Sequence, residues 1–165
     1  MLLTLMDDAS SRPITPERPQ PSNSVSTPVM LDIIDRAHEL IGTPYRWGGT
    51  SARNGFDCSG LLVYLFLNQA DIKLPRTTAA MMNASYKAVA KDKLKPGDAV
   101  FFSRNGKGRI NHVGLYIGDG RFIHAPRTGK NVKIDTLKNS YWRRSYKTAR
   151  RFHEPAREQA PVSRL

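Results

Sequence analysis

The run Cys58-Ser59-Gly60-Leu61-Leu62-Val63-Tyr64-Leu65-Phe66-Leu67 carries no charged side chain, and Asp57 before it is a residue type that caps helix N-termini. A helix apolar on all sides must be buried on all sides, so this segment is expected at the centre of a domain with other elements wrapped around it. It falls short of the roughly 18 apolar residues that a membrane span requires, and no other run reaches that length. Cys58 then stands in the first turn of the central helix. It is the only cysteine in 165 residues, so no intrachain disulfide is available and the thiol is either core filler or a reagent.

The flanking sequence supplies the wrapping. Between Val29 and Ile41, the spacing of Leu31, Ile34, Ala37 and Ile41 predicts an amphipathic helix stopped by Gly42, with His38 an ordinary boundary histidine. The loop Thr43-Pro44-Tyr45-Arg46-Trp47-Gly48-Gly49-Thr50 forbids regular structure, and its two aromatics are expected to be buried and to shape a site. A weaker helix is expected over Thr78 to Ala84, and Leu94 to Asp98 reads as a turn. Strands are expected over Ala99 to Ser103, His112 to Ile117, Arg121 to Ala125, Val132 to Ile134 and Tyr146 to Phe152. Helices first and strands afterwards predict an α+β domain, with helices packed on a small antiparallel sheet or partial barrel.

This domain is expected to cover residues 29–153. Residues 1–28, rich in Pro and Ser, read as a disordered leader and 154–165 as a flexible tail. The apolar start Met1 to Met6 is too short for a signal peptide and is followed at once by Asp7 and Asp8. Lys and Arg number 26 against 14 Asp and Glu, a net charge of +12 that favours polyanionic surroundings: nucleic acid, anionic lipid or anionic cell wall. The basic stretch Trp142-Arg143-Arg144-Ser145-Tyr146-Lys147 lacks any RNP-type, helix-turn-helix or zinc-finger spacing, so nucleic acid is not an expected partner.

A cysteine in the first helical turn feels the positive end of the helix dipole and unpaired amide hydrogens, both of which favour the thiolate. The same amides suit the oxyanion of a tetrahedral intermediate, at about 3 kcal/mol per donor in comparable sites. The partner base is sought in His112-Val113-Gly114-Leu115-Tyr116-Ile117-Gly118-Asp119-Gly120-Arg121-Phe122-Ile123-His124-Ala125, which reads as a hairpin. A two-residue Asp119-Gly120 loop alone would put the histidines on opposite faces. A three-residue Gly118-Asp119-Gly120 loop pairs Ile117 with Arg121 and His124 with Gly114, setting both histidines on one face, roughly 7 Å apart at Cβ. The latter is preferred because it gathers Val113, Leu115, Ile117, Ile123 and Ala125 on the other face. It permits a Cys-His-His relay in which His112 takes the thiol proton and His124 orients His112. Cys58, His112 and His124 are also zinc-type ligands, but no HExxH or paired-Cys spacing accompanies them, and neither metal nor cofactor is expected.

Six blocks together resemble the NlpC/P60 domain: Thr43-Pro44-Tyr45-Arg46-Trp47-Gly48-Gly49, Phe56-Asp57-Cys58-Ser59-Gly60-Leu61, Leu74-Pro75-Arg76-Thr77, Leu94-Lys95-Pro96-Gly97-Asp98, Asn111 to Gly118, and Phe122-Ile123-His124-Ala125. They occur in that family's order over about residues 30–152. The resemblance implies a papain-like fold with a Cys-His-His site. It also implies hydrolysis of peptidoglycan stem peptides, commonly between γ-D-glutamate and the diamino acid. Carried over, Cys58 is the nucleophile, His112 the base, His124 the third member, and Tyr45 the tyrosine that helps hold the oxyanion. Asp57 and Ser59 match positions that meet a free N-terminal amine, and Arg76 a basic residue lining the cleft. Helix capping would equally explain Asp57, a turn Ser59, and a loop charge Arg76. Met81 departs from the glutamine many relatives carry.

The expected protein is a monomeric wall peptidase, periplasmic or extracellular by inference from its substrate, with anionic wall polymers as further partners. A papain-like amidase or acyltransferase, or a silent wall-binding module, are the alternatives. A catalytic Cys58 is expected to alkylate faster than a free thiol at mildly acidic pH.

Overall fold

The computed structural model of the chain describes residues 27–105 and 108–155, so nearly all of the expected leader and tail lie outside the described residues. In chain order the elements are helix α1 (Thr27–Glu39), the short strands β1 (Thr50–Ser51) and β2 (Gly55–Phe56), helices α2 (Cys58–Ala70) and α3 (Thr78–Asn83), and strand β3 (Tyr86–Ala88). Strands β4 (Ala99–Phe102), β5 (His112–Gly118), β6 (Arg121–His124) and β7 (Lys133–Thr136) follow, then helix α4 (Ser140–Ser145) and strand β8 (Tyr146–Pro155).

The sheet runs β3-β8-β4-β5-β6-β7 with every neighbouring pair antiparallel. It is an open sheet and not a barrel. On one face α2 packs against β5, and α1 packs on α2. Leu61, Leu62, Leu65 and Phe66 of α2 meet Phe101, Val113, Leu115 and Ile123 of the sheet, with Ile33 and Ala37 of α1 behind them. These side chains are completely buried, but Leu67 at the end of the uncharged run is 46% exposed, so the run is not buried on all sides as expected. Met81 is fully buried in this same core.

Helices were expected on one face only, but α4 covers the other, where Trp142 packs with Val100, Phe102, Phe122 and Ala149. Six residues give less than two helical turns, too few to show an apolar period, which is why this segment read as a basic surface. Its signal is Asn139, whose side chain caps the amides of Tyr141 and Trp142 at 2.8 and 3.4 Å.

The hairpin differs in detail from either loop considered. Asp119 and Gly120, both with positive φ, form a two-residue turn that pairs Gly118 with Arg121. A register shift between Tyr116 and Gly118 then leaves Ile117 extra, and beyond it Tyr116 faces Phe122 and Leu115 faces Ile123. The bulge restores the register that a three-residue loop would give, so His112 and His124 share a face after all. Gly114 is required opposite, since a Cβ there would lie 2.8 Å from the Phe122 ring and 3.3 Å from His124 Cβ.

One aromatic expectation fails. Trp47 is 87% exposed, at the tip of a turn closed by Gly49 N–H donating to Arg46 O at 2.8 Å. Tyr45 is partly buried against the core as expected. His38 is an exposed helix residue whose Nδ1–H donates to Ile34 O at 2.9 Å.

Candidate active site

Cys58 opens α2, as its sequence position required. The helix starts there because Asp57 leaves the helical conformation and accepts the Gly60 amide at 2.7 Å. The 46–49 loop rests directly on this first turn: Gly49 O accepts the Asp57 amide at 3.0 Å, and a Cβ on Gly60 would stand 2.0 Å from that same oxygen. Only glycine permits so close an approach.

Asp57, Ser59 and Arg76 form one network beside the thiol. The Arg76 guanidinium grips both Asp57 carboxylate oxygens, at 3.1 and 2.8 Å, and donates to Ser59 Oγ at 2.9 Å. Ser59 Oγ in turn donates to Asp57 Oδ1 at 3.4 Å. Asp57 therefore both caps the helix and anchors this network. The Tyr45 phenol is held among the same groups. Burial raises its pKa, and the charges of Cys58 and Asp57 add to that.

Cys58 Sγ lies 3.5 Å from Thr78 Oγ1, at the start of α3. Burial pushes the Cys58 thiol above its ordinary value, against hydrogen bonds from Thr78 and the Val113 and Ser59 amides that pull it down. The helix terminus was expected to favour the thiolate; here desolvation of the charged form outweighs it. A raised pKa favours the neutral thiol, which would need a base to act as a nucleophile.

Strand β5 brings its Val113 amide to the sulfur, and His112, the preceding residue, is buried. His112 Nε2 lies 2.8 Å from His124 Nδ1, and His124 Nε2 lies 2.7 Å from Asp135 Oδ2. This order determines the tautomers. An ionised Asp135 can only accept, so His124 carries its proton on Nε2 and presents a bare Nδ1. His112 must then donate through Nε2, which leaves Nδ1 of His112 unprotonated. Burial first, then the neighbouring His124 and Arg104 charges, hold the His112 pKa well below its usual value. Burial also lowers His124, against the pull of Asp135. Asp135 itself is lowered: burial acts to raise it, but the His124 hydrogen bond and the His124 and Lys133 charges prevail.

The relay rests on an indole. Trp142 stacks on His112 with ring centres 5.5 Å apart and meets His124 edge-on at 4.9 Å. Since both ring nitrogens of His124 are engaged, that side chain has no lone pair left for a metal. Among the described residues no group of three or more His, Cys, Asp or Glu is arranged to hold one.

The model of the NlpC/P60 family matches residues 42–151. The chain belongs to the NlpC/P60 family. Murein DD-endopeptidase MepH of Escherichia coli K12 is 45% identical to it over 123 residues, 74% of this chain and 45% of that protein. The gamma-D-glutamyl-L-lysine dipeptidyl-peptidase of Bacillus subtilis 168 is 40% identical over 121 residues, 73% of this chain and 40% of that one. The crystal structure of an NlpC/P60 family protein from Bacillus cereus ATCC 10987 superposes with a TM-score of 0.70 at 39% identity, covering 79% of this chain and 42% of that chain. The present chain thus spans less than half the length of these three relatives.

Within this NlpC/P60 domain the structure brings Cys58, His112, His124, Tyr45, Asp57, Ser59 and Arg76 into one region. Sequence reasoning missed Asp135, Thr78 and Trp142. The available signals were an acidic residue at an alternate position of Lys133-Ile134-Asp135-Thr136 and a hydroxyl two residues beyond Arg76.

Proposed function

We propose that this domain is a cysteine peptidase acting on peptidoglycan peptides, with Cys58 as nucleophile and His112 as base. The observation that carries this reading is the ordered chain Asp135–His124–His112, which leaves a bare Nδ1 beside the strand whose Val113 amide reaches Cys58 Sγ. As Sγ attacks the scissile carbonyl carbon, its proton passes to His112 Nδ1. The positive charge then on His112 is countered through His124 by Asp135. The carbonyl oxygen becomes an oxyanion close to the Cys58 amide at the start of α2 and the Tyr45 phenol. Collapse breaks the C–N bond, and His112 Nδ1–H protonates the departing amine, leaving a thioester on Cys58. Water, deprotonated by the same nitrogen, hydrolyses the thioester and restores the thiol.

The bond proposed is that between γ-D-glutamate and the diamino acid, with Asp57 and Ser59 meeting a free N-terminal amine and Arg76 a carboxylate. Support comes from the network that holds these three residues beside Cys58, and from the substrate in the printed name of the Bacillus subtilis relative. The similarity to MepH, named a DD-endopeptidase, favours a second reading in which a DD bond of murein is cut. Such a substrate places the enzyme in the periplasm or outside the cell, where its charge of +12 would also favour anionic wall polymers, working as a monomer.

Digestion of purified peptidoglycan and soluble stem peptides, with products identified by mass spectrometry, tests this reading against Cys58→Ala. A new amine on the α-carbon of the diamino acid, formed by wild type alone, supports the first bond; a newly freed D-alanine carboxylate supports the second. Turnover confined to small amides or esters would point to an amidase or acyltransferase. No turnover of any kind would leave a wall-binding module.

A further inference from the structure

Beside Trp142, which stacks on His112, lies a cavity of about 370 Å³ whose wall includes Arg104, Arg127, Lys130 and Lys133. The one carboxylate lining it, Asp135, is already engaged by His124 at 2.7 Å and lies 3.7 Å from Lys133 Nζ. Four cations thus face a space whose own anion is committed. Arg104 is held there: its guanidinium donates to Pro126 O and, through Nε, to Tyr141 Oη at 3.2 Å, and it lies 5.3 Å from the Trp142 ring centre. Lys130 is anchored by its main chain, which accepts the Tyr45 amide at 2.9 Å.

The location relative to the chemistry decides what the cavity would hold. The leaving nitrogen takes its proton from His112, so the residue attached to that nitrogen lies on the His112 side of the scissile bond and not on the Cys58–Asp57 side. Trp142 is the shared wall: one face stacks on His112, and the same side chain lines the cationic cavity. A substrate residue on the leaving side therefore extends into a space one side-chain layer from the proton donor.

We propose that this cavity is the leaving-group subsite and that it binds the side-chain carboxylate of the diamino acid, so that the enzyme prefers a diamino acid whose side chain ends in a carboxylate, as diaminopimelate does, over lysine, whose side chain lacks one. The proposal rests on the peptidase reading above and adds a specificity to it. Guanidinium and ammonium groups around one carboxylate give charge-assisted hydrogen bonds, moderated here because Arg127, Lys130 and Lys133 are exposed to solvent. Lysine in the same place would bring its ammonium without the neighbouring carboxylate that offsets it in diaminopimelate.

The test is equilibrium binding, by calorimetry, of L-Ala-γ-D-Glu-diaminopimelate and L-Ala-γ-D-Glu-L-Lys, each with the α-carboxyl of its diamino acid amidated so that only the side-chain carboxylate differs, to the full chain carrying Cys58→Ala, with and without the additional pair Arg127→Ala and Lys130→Ala. The diaminopimelate peptide is expected to bind about tenfold tighter than the lysine peptide, and the added pair to remove that difference while leaving the lysine peptide within about twofold. Equal binding of the two peptides, binding of neither, or a preference that survives the added pair would overturn the proposal. Turnover by the wild-type chain is read separately. Charge-dependent binding without cleavage would count against the peptidase and not the subsite, whereas cleavage without discrimination would count against the subsite alone.

Discussion

His124 Nε2 sits 2.7 Å from Asp135 Oδ2, which makes a carboxylate, and not an imidazole, the end of the relay. Asp135→Asn keeps the size of the side chain but allows an amide N–H to face His124 Nε2, which would drive His124 to the other tautomer and misdirect His112. We expect kcat to fall by about 10²- to 10⁴-fold with KM nearly unchanged. Steady-state kinetics on a stem peptide check this, and a proportional loss in both parameters with reduced folded fraction would indicate a merely structural role.

The reactivity of Cys58 should follow burial. Because its thiol is raised above the ordinary value, alkylation by iodoacetamide at pH 6–7 should be slower than that of glutathione and should climb with pH beyond about 8.5. This reverses what the position at a helix N-terminus suggests in isolation. A plateau reached below pH 7 would show a preformed thiolate and refute the neutral resting state.

Stability should depend on His112 in a defined direction. Its folded pKa lies well below its ordinary value, so as pH falls from about 6.5 the unfolded chain binds the proton first and the folded state loses stability; above that pH the contribution is fully present. Asp135, also lowered, acts in the same sense but only below about 4. Urea unfolding midpoints at pH 7.5 and 5 should therefore differ, and the difference should shrink in His112→Gln.

Asp57 allows capping to be separated from recognition. Asparagine caps helices as well as aspartate, so Asp57→Asn should stay within about 1 kcal/mol of wild type, losing only an ion pair to a partly exposed Arg76. Its KM should rise at least about tenfold for a peptide with a free N-terminal amine if the carboxylate meets that amine. Asp57→Ala removes the cap as well and should cost about 1 kcal/mol more in chemical denaturation.

Gly60→Ala would push a methyl group to 2.0 Å from Gly49 O, and neither the helix start nor the loop can yield without the other. We expect a loss of about 3 kcal/mol or more and little remaining activity. A variant of near wild-type stability in urea would contradict this account of the loop contact.

Where the sequence was informative, physics explains why. An uncharged run points to a central helix, and the apolar alternation through Val113, Leu115 and Ile123 selects the register that puts His112 and His124 on one face. The two-residue turn with a bulge at Ile117 gives the same pairing as the three-residue loop, so that inference survived an error in its details. Asp135 was not legible because its approach to His124 depends on the β6–β7 register, Phe122 with Asp135 and His124 with Lys133, which the irregular 126–132 segment does not announce. Trp47 was misjudged because hydrophobicity was allowed to override turn geometry.

The order of elements along the chain also has a temporal side. Cys58 belongs to the first half of the polypeptide, while His112, His124, Asp135 and Trp142 all come from the second. A ribosome therefore releases the thiol long before the histidines and Asp135, and on the proposed mechanism a nascent or truncated chain would have a nucleophile without a base. On the proposed mechanism proteolytic competence is withheld until β5 docks on α2, so hydrolysis would itself report that the two halves of the domain have come together.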